Sequence, residues 1–523
     1  MSNKLKLDFI KQNALYAIIS TLFVLFVIFP VVYTFGTAFF SDSSLIDNFR
    51  QLNTDTFGLL MKSIVVAFSI ASLSTLFGTI LGFILYKTDV RFRVFFKLAL
   101  LIPLLISPYI LAVAWKDFFW FFFDNTSLIS SYIGLILVLT TIFTPLSMLI
   151  IGSALTNIDA QFEEAGTMFT KFRSVIVKIL LPLIKPALIT SFILVFIFSV
   201  SEFSVPAFFG IKVFTTEIFI QFSAFYNHSL AILQSALLVL ICILLLFSER
   251  KYIAEAPFLS IGNKGTRNKI YNIKGSYSLS SLFPFAWLLI TVVFPFIILF
   301  VQSFKGGTNK FIQAFYLLLP TFSNSISLAF VGALTIVFIG FVTAYFSVRK
   351  SGTKLVDWLL LIAFAIPSTI FGISLIKFYN QPMLDFIYSG YTIILVAFVG
   401  KYSFISSKLI ANSIKQIPNS IEEVAQIQAI GFYTILQKIL IPLIMPALFV
   451  AFIISFIFCL GELGTTIMIY PPGIESMPIK VFTIMANAPQ SLTSSMTLIV
   501  FSVTLLIITV FYYIAKLIFK KNR

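Results

Sequence analysis

The chain has 523 residues, of which 59% are hydrophobic and 11% are charged, and its 36 Lys and Arg outnumber 20 Asp and Glu to give a formal net charge of +16. Soluble domains carry about 25% charged and about 45–50% apolar residues, so this composition excludes a soluble globular protein. A disordered chain is excluded because such chains are poor in aromatic residues, whereas this one has 64 Phe.

The chain is therefore expected to be a polytopic membrane protein, and stretches of about 20 apolar residues mark its transmembrane helices. In the first half they lie near residues 14–36, 61–86, 96–115, 130–153, 178–201 and 229–248. In the second half they lie near residues 283–302, 325–348, 356–377, 391–411, 438–461 and 494–518. The first stretch is longer than a signal-peptide core, so an uncleaved span is expected. The predicted fold is an all-α polytopic membrane protein with about 12 transmembrane helices.

Both third spans contain proline, which lacks a backbone donor and can kink a helix. Pro103 and Pro108 lie in the first half and Pro367 lies in the second. We expect bent helices here, either around a pathway or as plain packing kinks. Asp117, beside Lys116 in the first half, is expected to form a surface pair.

The two groups of six spans are internal repeats. Residues 163–188 align without a gap with residues 423–448, and nearly half of the aligned positions are identical, including Pro182 with Pro442. Further repeat-related pairs are Ser63 with Ser325, Gly78 with Gly340, and Pro103 with Pro367. A repeat of this length indicates two homologous structural units. We therefore predict two homologous halves of six helices each.

The repeats divide the chain into three parts. The first transmembrane domain is predicted at residues 1–250, a polar linker at 251–281 and the second transmembrane domain at 282–523. With the N-terminus placed in the cytoplasm, most Lys and Arg residues fall in cytoplasmic loops, and the positive-inside rule favours this orientation. Both termini and the linker are then cytoplasmic. The positive charge thus indicates membrane topology, and no nucleic acid partner is expected.

The loop between the fourth and fifth spans carries the clearest functional signal. It begins with Glu163 and Glu164 in the first half or Glu422 and Glu423 in the second, and ends at Pro182 or Pro442. Acidic residues favour the N-terminal end of a helix dipole, and Ser420 with Glu423 fits a capping box. We therefore predict a short amphipathic cytoplasmic helix in each loop. A single copy fits an ordinary interfacial helix, but the repetition favours a repeated docking surface.

The two loops resemble the EAA loop of binding-protein-dependent ABC importer permeases. The matching residues are Glu163, Ala165 and Pro182 in the first copy and Glu423, Ala425 and Pro442 in the second. In that family the loop forms the coupling helix that inserts into a cleft on the ATPase subunit. The sequence departs at the family's glycine, where Phe169 and Ala429 stand and Gly431 follows two residues after Ala429.

The resemblance implies a permease subunit with two fused transmembrane domains in the bacterial cytoplasmic (inner) membrane, working by alternating access. It also implies two copies of a partner ATPase and an extracytoplasmic substrate-binding protein. No GxxxxGK[ST] phosphate loop occurs in the chain, so ATP hydrolysis is expected from a separate subunit and no cofactor is expected in this chain. Segments 201–210 and 461–482 resemble those of fused ferric iron permeases, with related forms in thiamine, polyamine and phosphonate permeases.

Glu202 and Glu462 are repeat-related and lie at the outer ends of the fifth spans. Ionisable groups at membrane depth usually face a cavity or a partner, and transporters place their substrate sites near repeat interfaces. The functional interpretation is a pair of translocation-pathway carboxylates that attract a cation. The alternative is local capping, or a salt bridge with Lys212 or Lys480.

The main alternative function is a secondary carrier of the major-facilitator type, which also has six plus six spans. That family has a G-x-x-x-D-R-x-G-type loop after its second span, whereas here the segment at 87–93 reads KTDVRFR and its nearest upstream glycine is Gly82. A membrane enzyme is disfavoured because His228 is the only histidine, and Cys242 and Cys459 lie in apolar stretches. No catalytic residues and no metal site are therefore expected.

Overall fold

The structure is a computed structural model that describes the chain except for residues 1–2, 41–51, 53, 171, 249–268, 272–276, 351–353, 429 and 521–523. The predicted linker, 251–281, thus lies mostly outside the described residues. The regular secondary structure of the described part is helical, apart from an isolated parallel bridge between Thr88 and Tyr271.

The described residues of the first half form thirteen α-helices. They are α1 (Asn3–Phe23), α2 (Phe29–Phe40), α3 (Thr54–Lys87), α4 (Arg93–Ala99), α5 (Pro108–Phe123), α6 (Tyr132–Thr156), α7 (Ala160–Phe169), α8 (Phe172–Val175), α9 (Leu181–Leu183), α10 (Lys185–Ser201), α11 (Ser204–Phe209), α12 (Phe214–Ser223) and α13 (His228–Ser248). The π-helical segments Val24–Ile28 and Ile176–Leu180 and the 3₁₀ segment Ile102–Leu105 continue neighbouring helices.

The second half repeats this order. Its helices are α14 (Tyr277–Leu288), α15 (Phe294–Lys305), α16 (Thr308–Arg349), α17 (Lys354–Ala365), α18 (Ser368–Tyr379), α19 (Asp385–Tyr388), α20 (Tyr391–Ile414), α21 (Asn419–Ile427), α22 (Phe432–Ile435), α23 (Ile441–Gly461), α24 (Thr466–Ile469), α25 (Met477–Met485) and α26 (Gln490–Lys520). Its π-helical segments are Leu289–Val293 and Leu436–Leu440.

The described helices give up to 12 membrane spans. Nine are long and apolar enough to cross a bilayer alone, and three more candidates are bent helix pairs. This arrangement confirms the predicted all-α polytopic fold in two six-helix halves. The first span of each half consists of two α-helices joined by a π-helical segment, and the second span is a single long helix.

The third span of each half is broken near its middle. The bend between Arg93–Leu105 and α5 is 99°, and the bend between Leu355–Ala365 and α18 is 105°. Ser107 and Pro367 precede the second helix of each pair in extended conformations, and a residue before proline disfavours the helical region. The predicted kinks are therefore present. The structural counterpart of Pro367 is Ser107, however, which corrects the sequence pairing of Pro367 with Pro103.

Each half packs its first span against the other half. Helix α2 packs on α18, and α15 packs on α5. At the first of these contacts the Tyr379 hydroxyl donates to the carbonyl of Phe26 at 3.0 Å, and the rings of Phe29 and Phe378 meet edge to face at 5.3 Å. The two halves therefore share one interior.

Asp117 on α5 forms a polar contact between the halves. Its side chain is 1% exposed, and its carboxylate accepts hydrogen bonds from Gln490 Nε2 at 2.6 Å and Ser494 Oγ at 2.5 Å. Both partners lie on α26, the last span of the second half. The expectation that Asp117 pairs with Lys116 at the surface is therefore wrong.

Two repeat-related glycines allow the second and fourth spans to approach closely. A Cβ atom on Gly78 would lie 2.3 Å from Ser147 Cβ, and one on Gly340 would lie 2.6 Å from Ser406 Oγ. Small residues at such crossings let helix backbones pack directly in membranes. Each half thus joins α3 to α6, or α16 to α20, as a tight pair.

We expect Gly78→Val to destabilise the protein by about 1–3 kcal/mol, the usual effect of overpacking. Gly58 lies on the same helix, and a Cβ atom there would meet no neighbour within 4 Å, so Gly58→Val is the matched control. Thermal melting of detergent-solubilised protein, followed by fluorescence-detected size exclusion, measures the difference. Equal midpoints for the two variants would contradict the close packing.

Candidate functional site

Both predicted short helices are present in the loops between the fourth and fifth spans, and we call α7 the first loop helix and α21 the second loop helix. The first is capped by Asp159, whose side chain accepts from the amide of Gln161 at 3.0 Å. The second begins after Pro418, and no side chain caps it. The predicted capping box of Ser420 and Glu423 is therefore absent, because Ser420 already lies inside the helix.

A buried carboxylate attaches the first loop helix to the second span. Glu163 is fully buried, and its Oε1 lies 2.5 Å from the Nζ of Lys87, which is also fully buried. Lys87 is the last residue of α3. The other carboxylate oxygen accepts a hydrogen bond from the hydroxyl of Tyr271 at 2.6 Å. The ion pair therefore fixes one face of the helix against the end of α3.

The second loop helix is attached in the same way. Glu422 Oε1 lies 2.7 Å from Nε of Arg349, the last residue of α16. Its Oε2 accepts from the hydroxyl of Tyr345 at 3.0 Å. Arg349 also donates to the side chain of Asn419 and to the carbonyl of Ile417 at 3.1 Å. Each loop helix thus has a buried glutamate in contact with a basic residue and a tyrosine.

The structure shifts the repeat register within the loop helices by one residue. The ungapped alignment pairs Glu163 with Glu423, but the buried counterpart of Glu163 is Glu422. Glu164 and Glu423 are the adjacent residues, and they are half-exposed and exposed. The chain between the buried glutamate and the following proline is one residue longer in the second half, which explains the shift.

The same shift separates the two predicted alanines. Ala425 is buried, whereas Ala165 is exposed, so the counterpart of Ala425 is Gly166. A Cβ atom on Gly166 would lie 2.4 Å from the side chain of Ile179. A small residue therefore stands at this position in each copy. Gly431 precedes α22 in an extended conformation, and Pro182 and Pro442 each lie in the first turn of a helix.

The opposite face of each loop helix exposes large apolar side chains. They are Phe162, Met168 and Phe169 on the first helix and Ile421, Val424 and Ile427 on the second. Phe169 is 87% exposed and Ile427 is 84% exposed. Contiguous exposed apolar surface commonly marks a site of protein or membrane interaction.

Glu202 and Glu462 end the fifth spans and cap the short helices that follow. Glu202 Oε1 accepts from the amide of Ser204 at 2.8 Å, and Glu462 Oε1 accepts from the amide of Thr465 at 2.7 Å. The local capping considered as the alternative is therefore present. The suggested salt bridge to Lys480 is absent, because Lys480 forms its ion pair with Glu475.

Lys401 is a functional candidate that the sequence analysis did not single out. It lies in the middle of α20 and is 7% exposed, and its Nζ donates to the carbonyl of Ile366 at 2.7 Å, at the break of the third span. It also interacts electrostatically with Glu462 and Glu202. Its repeat counterpart is Ile142, so only the second half has this cation. The sequence signal that could have identified it is the position of a lysine in the middle of an apolar span.

The three charges lie where the two halves meet. Ser107 Oγ at the break of the first half's third span donates to the carbonyl of Gly461 at 2.7 Å. Nearby hydroxyls of Ser201, Thr369 and Thr465 are buried and make no hydrogen bond within the described residues. Because buried polar groups usually have partners, these hydroxyls mark a polar region inside the membrane domain. In the same described part of the chain, no three His, Cys, Asp or Glu residues are grouped to hold a metal.

Comparison with known proteins identifies the family. The family described as "Binding-protein-dependent transport system inner membrane component" matches residues 74–255 and again residues 336–523. The chain belongs to this family. The two matches fall one in each half of the permease, and the resemblance inferred from the two loops is confirmed.

Two of the relatives are similar over most of the permease, and a third is similar over 37% of it. The permease is 25% identical over 439 residues to Fe(3+)-transport system permease protein FbpB 2 of Haemophilus influenzae, covering 81% of this chain and 84% of the relative. It is 24% identical over 487 residues to ferric transport system permease protein FbpB of Actinobacillus pleuropneumoniae, and the match covers 85% of this chain and 69% of the relative. It is 28% identical over 195 residues to PhnV of Salmonella paratyphi A, a permease whose name assigns it provisionally to 2-aminoethylphosphonate transport. This match covers 37% of this chain and 73% of the relative.

We expect Glu163→Gln to destabilise the permease by about 3–5 kcal/mol, because it removes one charge of a buried ion pair and leaves the other. The double variant Glu163→Leu with Lys87→Met should recover most of the loss, since apolar residues can replace such a pair. Melting temperatures in detergent measure both effects. Glu164→Gln is the control. A loss of stability as large in that variant would contradict the assignment of Glu163 as the residue that attaches the loop helix.

Proposed function

We propose that the permease forms the translocation pathway of an ATP-driven importer of ferric iron, and that the two loop helices couple it to a separate ATPase subunit. The observation that carries this proposal is the repeated loop helix, which is attached inward by a buried carboxylate and exposes apolar side chains outward. A helix held on one face and apolar on the other suits a cleft on a partner protein.

The loop helices are connected to the membrane spans by short, charged contacts. Glu163 ties the first to the end of α3, and Glu422 ties the second to the end of α16. Those spans pack closely on α6 and α20 at Gly78 and Gly340. Coupling between distant sites travels through packed, rigid elements of this kind. Movement of a docked ATPase would therefore shift the second and fourth spans of each half together.

The proposed assembly has two ATPase copies, one for each loop helix, and an extracytoplasmic binding protein on the opposite face. The distribution of Lys and Arg supports cytoplasmic loop helices and cytoplasmic termini. In this assembly the partner ATPase binds ATP, and the permease chain itself binds no cofactor. ATP binding would draw the two loop helices together, and the halves would rock to open the pathway outward, as in alternating access.

The substrate assignment rests on the relatives named for ferric transport and on the paired carboxylates Glu202 and Glu462. Carboxylates where the halves meet suit a cation. A second candidate, an aminoethylphosphonate, is favoured by the PhnV relative and by Lys401, whose ammonium suits an anion. The two substrates differ in charge, so uptake measurements separate them.

The docking role predicts that Met168→Glu combined with Ile427→Glu abolishes co-purification of the ATPase, because charges would enter an apolar contact. Met383→Glu is the matched control, since Met168 is 81% exposed and Met383 is 86% exposed but Met383 lies in the loop after α18. Tagged permease expressed with its ATPase gives the measurement. Retention of the ATPase by the double variant would contradict the docking role.

The pathway role predicts that Glu202→Gln with Glu462→Gln lowers ferric iron uptake about tenfold or more, a change of about 1.4 kcal/mol. Glutamine keeps an oxygen that can accept the capping hydrogen bonds but removes the charge. Uptake of radioactive ferric iron by whole cells, with ATPase retention as the control for assembly, gives the measurement. Unchanged uptake would remove the carboxylates from the pathway. Wild-type uptake of aminoethylphosphonate in place of iron would select the second substrate.

A further inference from the structure

The linker between the two halves contributes directly to the attachment of the first loop helix. The amide of Tyr271 donates to the carbonyl of Lys87 at 2.7 Å, and the carbonyl of Tyr271 accepts from the amide of Asp89 at 3.3 Å. Its hydroxyl donates to Glu163 Oε2 at 2.6 Å. Backbone and side chain of this linker residue are therefore both attached where α3 meets the first loop helix.

The second half provides the same hydroxyl from within its own span. Tyr345 precedes Arg349 by one helical turn on α16, and its hydroxyl contacts Glu422 at 3.0 Å. The residue one turn before Lys87 on α3 is Phe83, which carries no hydroxyl. Tyr271 therefore supplies from the linker the hydrogen bond that Tyr345 supplies from α16.

A second linker residue contacts the first loop helix. Lys269 Nζ donates to Thr167 Oγ1 at 3.4 Å and lies 5.5 Å from the centre of the Tyr271 ring. Burial, together with the hydrogen bond to Glu163, raises the pKa of Tyr271 above its usual value. The phenol therefore stays protonated near neutral pH and keeps its role as the donor to the carboxylate.

We propose that Tyr271 is a positioning residue for the first loop helix, and that linker residues Lys269 and Tyr271 thereby form part of the surface that engages the ATPase. The second part of this inference rests on the proposed function. The two loop helices then differ in one respect: the second is held by residues of its own half, whereas the first also depends on the segment that joins the halves.

The test uses spin labels on the loop helices of the full-length permease. Labels are placed at Met168→Cys or Ile427→Cys, because both positions are exposed. The native cysteines, Cys242 and Cys459, are buried, so the label is expected to react at the introduced cysteine. Tyr271→Phe should raise the mobility of the label at position 168 and leave that at position 427 unchanged. Tyr345→Phe is the matched control and should do the reverse.

Rescue separates the lost hydroxyl from general damage. Adding Phe83→Tyr to Tyr271→Phe places a hydroxyl where α16 has Tyr345, and it should return the label at position 168 to wild-type mobility. ATPase retention should fall about threefold in Tyr271→Phe and recover with Phe83→Tyr, a change of about 0.7 kcal/mol.

Unchanged mobility at position 168 in Tyr271→Phe would overturn the positioning role. Raised mobility with wild-type ATPase retention would overturn the linker's part in the docking surface. Failure of the wild-type permease to retain any ATPase would instead contradict the proposed function, while the mobility measurements would still decide the role of Tyr271.

Discussion

A carboxylate paired with a cation at the end of each second span holds each loop helix of this permease in place. Removing such charges from water is unfavourable by several kcal/mol per ion, so the pair persists only with close geometry and further hydrogen bonds. Glu163 and Glu422 meet both conditions, because each has a basic partner and a tyrosine hydroxyl. Helices as short as α7 and α21 are not stable alone in water. Their conformation therefore depends on this attachment.

The same constraint explains the charges deeper in the membrane domain. Backbone groups in a bilayer must find partners within the protein, and the broken third spans and the ends of the fifth spans leave such groups free. Lys401 satisfies the carbonyl of Ile366, while Glu202 and Glu462 accept from the amides of the helices that follow them. These residues stabilise the break of the third span in the second half and the ends of the fifth spans, and the same placement puts charge where the two halves meet. Structural and transport roles are therefore compatible at one site.

The spans, the repeat and the loop helices were predictable because hydrophobic length and repeated sequence are local signals. The register of the second loop helix was not, since Glu422 and Glu423 are adjacent acids and only burial distinguishes them. Asp117 was assigned to its neighbour Lys116, although adjacent residues on a helix do not face each other. Its actual partners come from the last span. The contact of Tyr271 with Glu163 likewise joins distant segments.

The partners of Asp117 also bear on how the chain is made. Gln490 follows Asp117 by 373 residues, so α5 is synthesised long before α26 exists. During that interval a carboxyl group in an apolar helix lacks two of its final hydrogen-bond donors. Until then the carboxyl group of Asp117 needs other partners, because a buried polar group without hydrogen bonds is unfavourable. Insertion of the final span then brings both of these donors to Asp117.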